Sequence, residues 1–289
     1  MKVKPFLKWV GGKRKLIPQL EAKFPKYIKS NEYTYVEPFL GGGAMFFHLI
    51  TKYNIKKAYL NDLNDKLIDC YQNIRDNSER LIKQLKKLEK DYYSFEDRKS
   101  YYYEKRDEFN SSKLSIKKSA LLIFLNKTGF NGMYRENSKG EYNIPVGSMN
   151  NPLICDEDLI QNISNVLNNN DIEFSSKSFE ELIIDKKNIF YYLDPPYMPI
   201  SKTSSFTDYT SKNRYKNDID LQNKICEYCH NINTSDSFFL QSNSYLPDFF
   251  KHTYDNKYFF DKLEVNRTIG ADGSKRKKIF EILLCNYSI

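Results

Sequence analysis

The stretch "NIFYYLDPPYMP", Asn188 to Pro199, constrains this chain of 289 residues more than any other. Ile189 to Leu193 is a short run of aromatic and branched residues, which reads as a buried strand. Pro195 and Pro196 forbid its continuation, because neither has an N–H to give to a sheet ladder. Asp194 is thereby put at the C-terminal edge of a strand, where open α/β sheets build their binding crevices.

A second such edge lies near the start of the chain. Tyr33 to Val36 reads as a strand that leads into "EPFLGGGAMFFHLI", a glycine turn opening a helix, and "KKAYLNDLN" supplies another strand ending at Asp62. This is a β-α-β unit. It lacks the dinucleotide pattern G-x-G-x-x-G, since Gly41 and Gly43 are followed three residues on by Phe46. What remains is a tight turn that allows close backbone approach, with Asp62 19 residues after Gly43 and suitably placed for ribose hydroxyls. A nucleoside without a pyrophosphate fits such a turn. A glycine loop followed by a helix-capping aspartate in "NDLND" fits the same letters.

Between these two edges the texture changes. From about Asp65 to Ile154 the sequence is helical, charged and tyrosine-rich, as in "SERLIKQLKKLEKDYY", and ends in "NKTGFNGMYRENSKGEYNIPVGSMNNP". The expected organisation is therefore one α/β domain formed by residues 1–64 and 155–289, with an inserted domain at 65–154. Past the insertion, strand and helix alternate again through the helix around Cys226, the strand "SFFLQSNS" and a final pair, "YFFDKLEVNRTI" and "KKIFEILLCNYS". The polar, Ser/Thr-rich loop from Ser201 to Asn217 is expected to move until substrate arrives.

With 40% hydrophobic and 15% aromatic residues the chain has ample material for a core. No apolar run approaches a membrane span, and "MKVKPFLKWVGGKRKL" has charge without a continuous apolar region, so a cytoplasmic protein without membrane association is expected. A net charge of +8, with aromatics among the lysines and arginines, is compatible with a polyanionic partner. Cysteines at 70, 155, 226, 229 and 285 are odd in number and lack an export signal, so reduced thiols are expected. "CEYCH" has the spelling of a haem attachment site, but no second cysteine pair accompanies it. Its helical spacing makes Ile219, Ile225 and Cys229 core candidates instead.

The Asp194 edge has a definite chemistry. The lone pair of an aromatic amine is delocalised into the ring, and the nitrogen becomes nucleophilic when two acceptors draw on its hydrogens. Asp194 offers carboxylate oxygens and Pro195 a carbonyl with no competing N–H. Proline geometry holds that carbonyl in place, and Tyr197 can stack on a base. The tetrapeptide Asp194, Pro195, Pro196, Tyr197 reads as a cradle for an exocyclic amine. Adenine N6 meets that description, and cytosine N4, an RNA base or a protein amide could use a related acid- or amide-Pro-Pro-aromatic cradle.

"KWVGGKR", "EPFLGGG", "NDLN", "GFNGMYRENSKGEYNIPVG" and "DPPY" occur in this order over nearly the whole chain. In this the chain resembles the Dam-type, α-group (D12 class) DNA adenine-N6 methyltransferases. The resemblance implies a Rossmann-like class I methyltransferase sheet, S-adenosylmethionine as methyl donor without a metal, and an inserted, mainly helical target-recognition domain carrying a β-hairpin. It further implies that Trp9, Lys13, Glu37, Phe39, Gly41, Gly43 and Asp62 line the cofactor pocket beside Asp194, with Trp9 as a wall and Lys13 near the cofactor carboxylate. Asp194 to Tyr197 would receive an adenine flipped out of duplex DNA. Direct transfer follows, since a carboxylate is too weak a base to deprotonate the amine beforehand.

The segment "GMYRE", turn residues Asn137 to Gly140, and "EYNIPVG" read as a hairpin able to enter a groove. An arginine fork matches guanine O6 and N7, and the resemblance places such a reader at Arg135 within a GATC-type site. It also puts Phe130, Asn131 and Met133 near the disrupted base steps and Pro145 at a thymine methyl. Expected partners are double-stranded DNA, within the nucleoid, and a cognate restriction endonuclease acting on the same site; a monomer is expected in solution. Two features depart from the family pattern or stay without a role: Ser178 stands where relatives often carry an acid, and Lys275, Arg276, Lys277 and Lys278 are given no catalytic part.

Overall fold

Tyr33–Glu37 forms the first strand, β1, and every residue of it is buried. It is buried along its whole length rather than at alternate positions because helices cover both faces of the sheet. The computed structural model describes residues 3–200, 215–265 and 279–289. Two short helices, α1 (Ile17–Ala22) and α2 (Lys26–Ser30), precede β1. Then follow α3 (Ala44–Lys52), β2 (Ile55–Asn61), α4 (Asp65–Asp76), α5 (Ser78–Ser94), α6 (Arg98–Ser111), α7 (Ile116–Thr128), α8 (Glu157–Asn168), β3 (Ile172–Ser175), β4 (Ile189–Leu193), α9 (Asp218–Ile232), β5 (Ser237–Ser244), α10 (Pro247–Thr253), β6 (Phe259–Val265) and β7 (Ile279–Cys285).

The seven strands form one mixed sheet in the order β3-β2-β1-β4-β5-β7-β6. β1 pairs in parallel with β2 and β4, and β7 pairs antiparallel with β5 and β6. The fold is α/β, with a Rossmann-like sheet. Chain order reverses between β1 and β4, so the crevice beyond their C-terminal ends is the topological switch point. Glu37 ends one of these strands and Asp194 follows the other.

Side chains alternate across the sheet. Tyr35, Phe190, Tyr192 and Leu240 join a core with α1 and α3, and that core continues into the helices between β2 and β3 through Leu67, Leu85, Tyr102 and Leu122. Val36, Tyr191, Leu193 and Phe239 join a second core under α9 and α10. α7 is buried nearly all round, with Ala120 to Leu125 all in the first core, and is the central post of the helical part. Side chains of Asn64, Asp97, Ser115, Asp156 and Asn217 cap α4, α6, α7, α8 and α9 by accepting backbone N–H bonds, each a contribution of about 1 kcal/mol.

The "CEYCH" segment lies on α9. Cys226 and Cys229 are buried, with Cys229 Sγ donating to Gln241 Oε1 at 3.4 Å. Burial pushes the Cys226 thiol up to about 11, so it is an inert core group. Ile225 is in the core, but Ile219 is 50% exposed. The helical spacing that suggested Ile219 as a core residue fails because it sits in the first turn of α9, before the helix reaches the sheet. Most of the loop expected to move, residues 201–214, and the run Lys275 to Lys278 lie outside the described residues.

Candidate active site

Three carboxyl groups converge at the crevice. Glu37 is buried at the end of β1 and accepts a hydrogen bond from Tyr35 Oη at 2.9 Å. Burial pushes its carboxyl well above the usual range; the Tyr35 bond opposes this, and the nearby charges of Asp194 and Asp62 add to it. Asp62 follows β2 and accepts from Gly41 N at 2.8 Å and Asn64 N at 3.0 Å. Its carboxyl is also raised by desolvation, against the pull of those two N–H groups.

Asp62 therefore ties down the glycine turn, while Asn64 caps the next helix through Lys66 N and Leu67 N. The carbonyl of Gly41 accepts from Tyr71 Oη at 3.1 Å, so both sides of this residue are held. Gly43 has φ +67°, and a Cβ there would meet Tyr71 Oη at 2.7 Å. A Cβ on Gly41 would lie 2.8 Å from the Trp9 ring. Trp9 in turn stacks on Tyr134, with centroids 5.4 Å apart and planes at 22°. One indole thus joins the glycine turn to the segment read as a hairpin. Phe39 packs on Phe179 at 5.1 Å, with Ser178 buried beside it and donating to Glu180 Oε2.

Lys13 is brought into the same place. Its Nζ lies 2.7 Å from Asp194 Oδ1, with only 6% and 20% of the two side chains exposed, and 4.6 Å from the Tyr197 ring centre. Ser242 Oγ also donates to Asp194 Oδ1, at 3.0 Å. Pro195 is buried and Pro196 is partly buried behind the acid. Tyr197 Oη donates to Glu281 Oε2 at 2.8 Å, and burial together with the Asp194 and Glu281 charges raises its phenol well above the ordinary value. Sequence reading overlooked Ser242 and Glu281. The signal for Ser242 was present in "SFFLQSNS", where Gln241 to Ser244 end a strand with four polar residues and all four are buried.

The segment from Phe130 to Gly147 folds back on itself with sparse pairing. Isolated antiparallel bridges join Gly129 to Val146 and Glu136 to Tyr142, in place of a regular ladder. Gly140 takes φ +75° at the turn, and Asn137 Oδ1 accepts from Lys139 N and Glu141 N. Tyr142 and Tyr134 anchor it inward, whereas Arg135 and Pro145 are exposed and Met133 is partly buried. Arg135 Nε donates to Asn143 Oδ1 at 2.9 Å, which steers the exposed guanidinium. Phe130 is 48% exposed, and the neighbouring Asn131 has φ +54°.

The model of the D12 class N6 adenine-specific DNA methyltransferases matches residues 9–269. The chain belongs to that family. It is 40% identical to the type II methyltransferase M.MjaIII of Methanocaldococcus jannaschii, covering 99% of this chain and 100% of that protein. It is 30% identical to a DNA adenine methylase of Haemophilus influenzae, covering 98% and 93%, and 27% identical to a DNA adenine methylase of Escherichia coli K12, covering 98% and 95%. The protein is thus an adenine-specific DNA methyltransferase, and its family uses a methyl donor of the S-adenosylmethionine type. Among the described residues no group of acids, histidines and cysteines is placed to hold a metal, and no helix is long and apolar enough to cross a membrane.

Proposed function

We propose that this enzyme methylates the N6 amine of an adenine extruded from duplex DNA, within a GATC-type site, and that Asp194, Pro195, Pro196 and Tyr197 form the receiving cradle. The observation that carries this reading is the division of labour at Asp194. Lys13 and Ser242 both engage Oδ1. Oδ2 is then the oxygen we assign to one amine hydrogen, with the Pro195 carbonyl assigned to the other. Lys13 and Ser242 fix the carboxylate in place, and the fixed acceptors act without reorganisation when the nitrogen attacks. As the N–C bond forms, the amine gives up a proton, for which Asp194 is the adjacent acceptor. Tyr197, tethered to Glu281, offers its ring to the base.

The donor set suits S-adenosylmethionine, which carries two positive charges and a ribose and supplies the methyl group when bound. Asp194 offers a carboxylate and Glu37 a buried carboxyl that a bound cation would draw into its ionised form, and Asp62 holds Gly41 N in a turn where any side chain would strike Trp9 or Tyr71. Trp9 and Phe39 supply apolar walls, and Lys13 stands between this pocket and the cradle. We assign residues 65–154 to target recognition, with Arg135 reading guanine, Phe130, Asn131 and Met133 at the opened base step, and Pro145 at a thymine methyl. Relatives bear the names type II methyltransferase and DNA adenine methylase, so partnership with a restriction endonuclease of the same site fits one set of names and solitary action the other. Incubation of plasmid DNA with labelled donor, followed by nucleoside analysis and mapping of methylated positions, tests the reading. N6-methyladenine confined to GATC supports it, and methylation at an unrelated site overturns the assigned specificity.

A further inference from the structure

The two prolines that shape the cradle also leave it poorly tied. Pro195, Pro196 and Pro199 have no N–H, so the turn lacks three of the backbone donors with which it could close on itself. The partly buried carbonyl at Pro196 and N–H at Met198 take their partners from elsewhere. Two amide side chains supply them. Gln222 Nε2, from α9, donates to Pro196 O at 2.9 Å. Asn243 Nδ2, from β5, donates to Gln222 Oε1 at 2.9 Å. Asn243 Oδ1 accepts from Met198 N and Ser244 N, both at 2.9 Å. Gln222 is 1% exposed and Asn243 is fully buried.

The polarity of this chain is dictated from both ends. Met198 N and Ser244 N can only donate, so the Asn243 oxygen must face them and its nitrogen must face Gln222. Gln222 then presents its own nitrogen to Pro196 O, which can only accept. No amide in the chain can be turned over without setting two donors or two acceptors against each other in a dry site, where an unpaired polar group is expensive. Ser242, next to Asn243 in β5, binds Asp194 from the opposite face of the strand. Both ends of the cradle are therefore fixed to consecutive residues of one strand.

We infer that Gln222 and Asn243 are positioning residues for methyl transfer: a buried relay of two side-chain amides that sets the direction of the Pro195 carbonyl and of the Tyr197 ring. This rests on the cradle proposed above. Neither side chain touches the substrate. They act by holding the two peptide groups that flank Tyr197, the first of which adjoins the Pro195 carbonyl, and a misplacement of about 1 Å at such a centre costs on the order of 100-fold in rate.

The test uses the full-length enzyme, a duplex with one GATC site, and the variants Gln222→Met and Gln222→Glu. Gln222→Met removes both bonds at similar volume. It is expected to lower kcat by about 10- to 100-fold, at every pH, while KM for S-adenosylmethionine stays within about 3-fold, as suits a change in alignment rather than in binding. Gln222→Glu is the second variant. When protonated, its O–H can donate to Pro196 O while its other oxygen accepts from Asn243, so its kcat relative to wild type should be highest at low pH and decline as pH rises. A folded Gln222→Met enzyme with wild-type kcat, or a Gln222→Glu ratio that does not change with pH, overturns the relay. The cradle itself is tested apart from this by Asp194→Ala. If that variant keeps its turnover, the cradle falls and the relay with it; if only the Gln222 variants keep theirs, the relay alone falls.

Discussion

Lys13 Nζ and Asp194 Oδ1 lie 2.7 Å apart, joining a residue near the start of the chain to one at the end of its fourth strand. In the ligand-free chain the Lys13 ammonium neutralises the acid of the cradle. Mutual burial makes this pair costly to break from one side only, since the remaining charge is left uncompensated. Lys13→Met is therefore expected to lower turnover on the order of 100-fold and to reduce the melting temperature. Steady-state kinetics with thermal unfolding checks both, and an active, equally stable variant would remove the lysine from the account.

Glu37 gives a prediction in pH. Its folded-state carboxyl is raised by burial above its unfolded value. Its contribution to stability is fully present below the unfolded value near pH 4.5 and is lost as pH rises through the raised folded value. Glu37→Gln lacks this loss, so the ligand-free variant should gain stability over wild type progressively as pH increases. It should also bind S-adenosylmethionine more weakly, because a carboxylate has been removed from a cation site. Melting curves across pH, paired with calorimetric titration, measure the two effects, and a variant whose stability advantage falls with pH would reverse the sign.

Asp62→Ala and Trp9→Ala act on the glycine turn from its two sides. The first removes the acceptor of Gly41 N, and the second empties the space beside Gly41. Each is expected to weaken S-adenosylmethionine binding by about 10-fold or more, or ~1.4 kcal/mol, and DNA binding less. Trp9→Ala should disturb DNA more than Asp62→Ala does, because Trp9 also supports Tyr134. Unchanged cofactor affinity in calorimetry would contradict the assignment.

Arg135→Ala is expected to cost about 1–3 kcal/mol of discrimination at one guanine position while other positions stay specified. Asn143→Ala should give a smaller loss at the same position, since Asn143 only steers the guanidinium. If Arg135 merely binds phosphate, methylation drops alike on all sequences and the salt dependence becomes shallower. Sequencing the methylated sites made by each variant separates the outcomes.

The site was legible in the sequence where backbone chemistry leaves few choices. Two prolines after an apolar run end a strand, and glycines after a strand make a turn, so Asp194 and Gly41 to Gly43 could be placed at sheet edges from local letters alone. Contacts between segments distant in sequence could not. Nothing local says that Lys13 meets Asp194, that Trp9 meets Tyr134, or that Gln222 reaches Pro196, because such meetings depend on the strand order. Asp62 illustrates the middle ground: its position was plain, but only the fold distinguishes tying Gly41 from capping α4. The hairpin was legible as a turn between two segments, but its sparse bridging was not, since the tyrosines that hold it point into the helical core.

The central claim is that Asp194 and the Pro195 carbonyl hold an adenine amine for direct methyl transfer. Single-turnover transfer from labelled S-adenosylmethionine to a duplex with one GATC site, by wild type and by Asp194→Ala, tests it most directly. N6-methyladenine is expected in the wild-type reaction and loss of transfer in the variant, with fold and DNA binding retained. Near-normal single-turnover transfer by Asp194→Ala would contradict it.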